Sequence, residues 1–211
     1  MPTENKSNKI ITMVLAVIIT LAAITVLYIS LPQNKENEKT SGENNGQQGG
    51  GNETATIFTV IYGDNREEYS LKGLEALESY EGMGGKISSK TPPSIKEHGT
   101  YEGVNVTTLV KLIAGNISNY SITVYSSIPD NQTYTFSTIQ GNIDVYNATN
   151  LSTPIGQGGV AMIVSYMKDG NYLNESQDGK LKIAFVNNKE ELLTKASLWW
   201  SHVVSIEIVK Q

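Results

Sequence analysis

The sequence predicts an α+β fold rich in β-strands, preceded by one transmembrane helix and a flexible linker. Two observations carry this prediction. Residues 10–31 are apolar and include no charged side chain. From about residue 57 onward, short runs of β-branched and aromatic residues alternate with glycine- and asparagine-rich turns, and few stretches have helical spacing. We therefore expect a membrane-anchored domain with a β-rich core.

The apolar run has the length of a membrane span. A helix of its 22 residues, rising about 1.5 Å per residue, would be roughly 33 Å long, and the hydrocarbon core of a bilayer is about 30 Å thick. Lys6 and Lys9 precede the run, whereas the basic residues after it are offset by acids. The positive-inside rule then predicts a cytoplasmic tail at residues 1–9 and a domain outside the cell. We expect a single-pass protein of the cell membrane whose residues 10–31 contact lipid. A cleaved signal peptide is the alternative, although its apolar region usually has only ~7–15 residues.

The composition limits the domain organisation, the partners and the kinds of site expected in the rest of the chain. Residues 32–56 are mostly Asn, Gln, Gly, Glu, Lys and Ser, and they predict a disordered linker. The remaining residues, 57–211, suffice for one domain with a hydrophobic core. The formal net charge of the chain is −5, and its basic residues form no cluster, so we expect no nucleic-acid partner. The absence of cysteine excludes disulfides and thiolate metal sites.

The first half of the domain is expected to combine one strand with two short helices. In order, we expect a strand at 56–62, a helix at 71–78, a chain break at the glycines of 82–85 and a helix at 106–114. Ser70 is placed to cap the first helix. The second helix has Leu109, Leu112 and Ile113 on one face, and Gly115 is a C-terminal stop.

The second half is expected to be mostly strand. The candidate strands are residues 121–125, 134–136, 160–166, 181–186 and 198–209, with a hairpin turn at 168–171 and a helical turn at 190–196. In the last strand, alternation places His202, Val204 and Ile206 on one apolar face. Trp199 and Trp200 point to opposite faces of that strand, so we expect one of them in the core.

No complete catalytic motif is found in the sequence, which has no HExxH, GxSxG or Walker-type segment. His98 and His202 are the only histidines. We expect His98 to be exposed and His202 to be a core or rim residue rather than a ligand. The glycine-rich segment 156–159 precedes a strand rather than a helix, so it predicts a tight loop and not a phosphate site.

Glycosylation sequons are more frequent than composition predicts. The chain contains nine Asn-x-Ser/Thr triplets, whereas random order would give roughly three. The candidate glycosylation sites in the domain are Asn105, Asn116, Asn119, Asn131, Asn147, Asn150 and Asn174. They predict a glycoprotein of the cell exterior. The alternative is that turns rich in Asn and Thr generate the triplets by local clustering.

Several segments in order carry a resemblance to a known family. They are Tyr69-Ser70-Leu71-Lys72-Gly73-Leu74, Tyr101-Glu102-Gly103-Val104, Leu112-Ile113-Ala114-Gly115, Asp169-Gly170-Asn171-Tyr172-Leu173, Gly179-Lys180-Leu181-Lys182-Ile183 and the run 200–209. Taken together, they resemble the oxidoreductase molybdopterin-binding domain, which has the sulfite-oxidase type of fold. The resemblance covers nearly the whole of residues 57–211 and implies that fold.

The departures from this family concern the cofactor. The resemblance implies a cysteine thiolate on molybdenum and arginines on the pterin phosphate. In the corresponding segment this chain offers only Ser88 and Ser89, and a serine hydroxyl is a poor replacement for a thiolate. Lys182 stands where the family has arginine, and Arg66 is the only arginine of the chain. We therefore expect no bound cofactor and no catalytic residues.

Three classes of function remain open. The first is a membrane-tethered exterior domain that acts as a non-catalytic binding or interaction module with an unidentified ligand or protein partner. The second is a molybdopterin-dependent oxidoreductase or redox partner, with Ser88 or Ser89 on the metal and with Lys182, Lys180 and Arg66 on the phosphate. The third is a structural domain of the cell envelope.

Overall fold

The computed structural model describes residues 55–211. The predicted cytoplasmic tail (1–9), transmembrane helix (10–31) and nearly all of the predicted linker (32–56) lie outside the described residues, and they stay predictions. Within residues 55–211, no helix is both long and apolar enough to cross a membrane.

Strands dominate the described part of the chain, as the sequence predicted. The strands are β1 (Phe58–Tyr62), β2 (Asn65–Tyr69), β3 (Ser79–Ile87), β4 (Ile95–Asn105), β5 (Tyr120–Ser126), β6 (Asn131–Tyr134), β7 (Asp144–Val145), β8 (Gly156–Gln157), β9 (Ala161–Lys168), β10 (Asn171–Tyr172), β11 (Lys182–Val186), β12 (Leu192–Lys195) and β13 (Val203–Lys210). The helices are α1 (Leu71–Glu75), α2 (Val106–Ala114) and α3 (Phe136–Ile139), with a 3₁₀ turn at Ala196–Leu198. The domain is therefore a β-rich α+β domain.

The first sheet has the strand order β2-β1-β13-β5-β6. Strands β1 and β13 are parallel and the other pairs are antiparallel. In β13 the alternation is interrupted by a register shift between Val203 and Ser205. Because of this bulge, Val203 is buried and Val204 is exposed. The expected position of Val204 on the apolar face is therefore wrong, whereas Ile206 is buried as predicted.

The second sheet has the order β10-β9-β4-β3-β12, and β11 pairs with β9 outside this path. The backbones of Met83 in β3 and Asn187, just after β11, exchange two hydrogen bonds of 2.8 Å. Pairing therefore runs in a closed cycle, β9–β4–β3–β11–β9. A Cβ atom on Gly84 or Gly103 would come closer than 3.0 Å to the backbone of a strand of this cycle. The expected break at 82–85 is wrong, because these glycines lie inside β3 and permit the close approach of its neighbours.

Local signals set the helix boundaries. The side chain of Asn105 caps α2 by accepting a hydrogen bond from the Thr107 N–H, and Gly115 ends it with φ +67°. These bounds match the predicted helix at 106–114. Ser70 caps α1 as expected, but α1 ends at Glu75, before the predicted residue 78. Leu112 is 56% exposed, so it does not belong to the buried face of α2.

The segment after β11 differs from its prediction. The helical turn expected at 190–196 is strand β12, which pairs parallel with β3. Leu192, Leu193 and Thr194 are all buried there, because the strand is covered on both faces. The strand expected at 134–136 is also displaced, since β6 ends at Tyr134 and α3 begins at Phe136.

Both sheets and helix α2 contribute to one hydrophobic core. Its fully buried members include Phe58 and Val60 of the first sheet and Val104 and Phe185 of the second. Helix α2 adds Val106, Leu109 and Val110. The core therefore fixes the second sheet against the first.

Candidate functional site

A buried ammonium group lies at the centre of the candidate site. Lys182 of β11 has no exposed surface. Its Nζ donates hydrogen bonds to Glu97 Oε1 at 2.8 Å and to Asp178 Oδ1 at 2.6 Å. A buried charge is stable only when it is paired and hydrogen-bonded, and here one ammonium is shared by two carboxylates.

Further ammonium and hydroxyl donors contact the carboxylate of Glu97 in β4. Its Oε2 lies 2.7 Å from Lys86 Nζ, and its Oε1 lies 3.4 Å from Lys168 Nζ. The Tyr101 hydroxyl donates to Oε1 at 2.8 Å. The strands explain this convergence, since Lys86 pairs with Glu97 across β3 and β4, and Lys168 pairs with Tyr101 across β4 and β9. Cross-strand partners share one face of a sheet.

We call Lys86, Glu97, Lys168, Asp178 and Lys182 the lysine cluster. Three ammonium groups face two carboxylates, which leaves one positive charge in excess. Only Lys182 is fully buried, and the other four side chains keep between 15% and 27% of their surface exposed. Every member of the cluster except Lys182 is therefore in partial contact with solvent.

Two aromatic rings border the lysine cluster. Tyr101 and Trp199 stack edge to face, with ring centroids 5.2 Å apart. Lys182 Nζ lies 5.8 Å from both centroids, within the range of a cation–π contact. The indole N–H of Trp199 donates to Thr194 Oγ1 at 2.7 Å. Trp199 is buried and Trp200 is partly buried, so one tryptophan belongs to the core as predicted. The strand expected from residue 198 begins only at Val203, so neither tryptophan lies in β13.

The titration behaviour of the cluster follows from these contacts. Burial raises the pKa of Glu97, but the hydrogen bonds and charge of Lys182, with the hydrogen bonds of Lys86 and Tyr101, outweigh it and hold the pKa well below its usual range. Burial and the neighbouring Glu97 carboxylate raise the pKa of Tyr101 far above its usual value. At neutral pH Glu97 is therefore ionised and Tyr101 is protonated. Neither group is poised to exchange a proton in catalysis near neutral pH.

Three of the four candidate cofactor residues, Ser88, Arg66 and Lys182, have different neighbours. Ser88 follows β3, where its Oγ accepts from the Ser94 N–H at 3.0 Å, and Ser89 is exposed. Arg66 lies on the edge strand β2 of the first sheet and donates to Glu68 at 2.9 Å. Lys182 belongs to the second sheet. Each of Ser88, Arg66 and Lys182 is thus engaged with neighbours of its own, and they share no contact among the described residues.

The two histidines do not assemble a metal site. His98 is exposed, as predicted, and its Nδ1 lies 2.9 Å from Glu191 Oε1. His202 precedes β13 with φ +58° and is partly buried, so it is not part of the strand face expected from alternation. Between residues 55 and 211, no group of three or more His, Cys, Asp or Glu side chains is arranged to hold a metal ion.

Five of the seven candidate glycosylation sites are exposed. Asn116, Asn119, Asn131, Asn150 and Asn174 are exposed, and Asn105 and Asn147 are partly buried. In three of the sequons the Asn amide oxygen accepts a hydrogen bond from the hydroxyl two residues later, at 2.7–2.8 Å; these are the sequons of Asn105, Asn147 and Asn174. Glycosylation itself stays a prediction.

Sequence reasoning identified Lys182 but missed Glu97, Asp178 and Tyr101. One signal was present, because Lys182 is the only charged residue in the apolar run 181–186. A charge within a buried strand requires a partner, but local sequence does not say which one. Comparison with known proteins adds no candidate, since no protein-family model matches the chain and no curated protein matches it significantly.

Proposed function

We propose that this chain is a membrane-tethered exterior domain that acts as a non-catalytic binding or interaction module, built on a scaffold of the sulfite-oxidase type. The tether rests on the apolar run at 10–31 and on the lysines that precede it. The scaffold rests on the sequence resemblance and is compatible with the β-rich α+β architecture.

The observation that carries the non-catalytic role is the pairing of Lys182. The resemblance gives this position to a residue that contacts the pterin phosphate. Here the ammonium is fully buried and already hydrogen-bonded to Glu97 and Asp178. Because this ammonium is fully buried, a phosphate could contact it only if neighbouring groups moved. Displacement of either carboxylate would leave a partly buried negative charge without its partner.

The remaining donors fit the molybdenum cofactor no better. The Ser88 hydroxyl is engaged with Ser94, and Arg66 lies on the edge strand of the other sheet. A hydroxyl is also a hard and weakly acidic ligand compared with a thiolate. We therefore assign no redox step to this domain.

The test uses full-length protein purified in detergent from its native host. Elemental analysis for molybdenum and tungsten, together with pterin fluorescence after oxidation, is expected to give values far below one per chain. Ser88→Ala should leave both values unchanged. Stoichiometric metal and pterin that are lost in Ser88→Ala would establish the molybdopterin-dependent alternative instead.

The exterior location has a separate test. Protease added to intact cells or spheroplasts should remove the domain and leave a short N-terminal fragment. A domain that is protected in right-side-out vesicles and digested in inverted ones would contradict the proposed location.

A further inference from the structure

A surface groove lies beside the C-terminal half of helix α2, away from the lysine cluster. Its volume is about 450 Å³, within the roughly 300–1,000 Å³ of small-molecule sites. Its lining includes Thr108, Lys111, Asn116, Ser118, Phe136 and Gln140. We call it the α2 groove.

The lining of the α2 groove combines an aromatic wall with polar side chains, of which Lys111 is charged. Tyr120 and Phe136 stack edge to face, with centroids 5.1 Å apart. Tyr120 is buried, whereas Phe136 is only partly buried, so the Phe136 ring is the part of the pair available at the surface. Thr108 and Gln140 supply a hydroxyl and an amide. A sugar ring suits such a surface, because its C–H face packs on an aromatic ring and its hydroxyls bond to polar side chains.

One complete sequon lines the α2 groove. Asn116, Ile117 and Ser118 all belong to its wall, and Asn116 and Ser118 are exposed. A sugar attached to Asn116 Nδ2 would start inside the groove. The sequon of Asn174 differs, since its amide oxygen accepts hydrogen bonds from the Ser176 N–H and hydroxyl, and it is not part of the groove lining.

We propose that the α2 groove binds the first sugars of an N-glycan attached to Asn116. This inference rests on the proposed exterior location, because N-glycosylation takes place on exported segments. The glycan packs against Phe136 and bonds to Gln140 and Thr108. It therefore stabilises the fold, whereas a glycan at Asn174 extends into solvent.

The test compares full-length protein from the native host with the same protein from a host without N-glycosylation. Ser118→Ala removes the sequon but keeps Asn116, and Ser176→Ala does the same at Asn174. In native-host protein Ser118→Ala should lower the melting temperature by about 2–4 °C, the effect of roughly 1 kcal/mol in a domain of this size. In the other host it should have no effect. Ser176→Ala should shift the melting temperature equally in both hosts. A glycan that extends into solvent from Asn174 contributes no packing, so the variant loses only the hydrogen bond that the Ser176 hydroxyl donates to Asn174.

A second variant distinguishes binding of the glycan in the α2 groove from its attachment to Asn116. Gln140→Ala should leave the glycan on Asn116, as peptide mass spectrometry would show, and yet reduce the stability difference between the two hosts. An unmodified Asn116, or a Ser118→Ala effect that is equal in both hosts, would overturn the inference. Protease accessibility on intact cells is measured on the same samples. A domain that is digested from outside but unmodified at Asn116 would overturn only the proposed binding of a glycan in the groove. A domain that is protected from the protease would overturn the proposed exterior location as well.

Discussion

The Nζ of Lys182 lies 2.8 Å from Oε1 of Glu97, although the two residues are 85 positions apart in the chain. They belong to strands β11 and β4, which both pair with β9. The contact therefore forms only when the second sheet is assembled. Because Lys182 is fully buried, its carboxylate partners are required for the stability of that sheet.

Removal of this ammonium should be strongly destabilising. Lys182→Ala leaves Glu97 and Asp178 partly buried without their shared partner, and we expect a loss of about 3–5 kcal/mol in the free energy of unfolding. Lys180→Ala is the matched control, since Lys180 is exposed and lies 3.5 Å from the exposed Glu175. It should cost at most about 1 kcal/mol. Urea unfolding measures both, and equal losses would contradict the role assigned to Lys182.

Glu97 should make the domain sensitive to acid. Its pKa is lowered in the folded state, so the stability that it contributes is fully present above the unfolded-state pKa of about 4.3 and is lost as the pH falls toward the folded-state pKa. Glu97→Gln should be less stable than the wild type at neutral pH. As the pH falls below the unfolded-state pKa, it should lose less stability than the wild type loses. Glu175→Gln, at an exposed position, should keep the wild-type profile. Urea midpoints measured against pH would reveal the difference, and parallel profiles for Glu97→Gln and the wild type would count against the prediction.

Buried tyrosines should resist ionisation in alkali. Burial raises the pKa of Tyr134, whose hydroxyl donates to the Leu198 carbonyl at 2.8 Å, and burial together with Glu97 raises the pKa of Tyr101. The stability that depends on these neutral phenols is present below the unfolded-state pKa of about 10 and is lost as the pH rises above it. Ultraviolet titration should therefore show a second group of tyrosines that ionises only as circular dichroism reports unfolding. Tyr134→Phe should reduce that second group, and full ionisation before unfolding would be inconsistent with the burial described.

The glycine of β4 should tolerate no side chain. A Cβ on Gly103 would collide with the Val164 carbonyl of β9, whereas a Cβ on Gly156 would meet nothing within 4 Å. We expect Gly103→Ala to destabilise the domain by about 1–3 kcal/mol or more and Gly156→Ala to stay within about 0.5 kcal/mol of the wild type. Thermal unfolding of the two variants compares them directly. A Gly103→Ala variant as stable as Gly156→Ala would show that the two strands can separate without cost.

The sequence predicted those features that local chemistry determines. Helix α2 is bounded by the capping Asn105 and by Gly115, and both signals lie within the segment itself. The hairpin between β9 and β10 is likewise marked by Asp169 and Gly170, which both have positive φ.

Features that depend on strands distant in the sequence could not be predicted from local signals. Gly84 resembles a chain breaker in the sequence, and only the approach of the Phe185 backbone gives it a place inside β3. The bulge between Val203 and Ser205 inverts the expected face of Val204 without a local signal. The candidate site could not be predicted in full for the same reason. The sequence marks Lys182 as a charge within an apolar run, but its partner Glu97 comes from a segment in which no strand was predicted.

The cycle β9–β4–β3–β11 has a consequence for the order in which the chain can mature. Strands β3, β4 and β9 are complete at Lys168, but the contacts that close the cycle come from Asn187 and the strand before it. Until that last part is synthesised, β3 and β9 each present an unpaired edge with free N–H and C=O groups. A nascent chain that stalls before β11 can therefore pair with another copy through these edges. A C-terminal truncation before β11 should lead to aggregation rather than to a smaller folded unit.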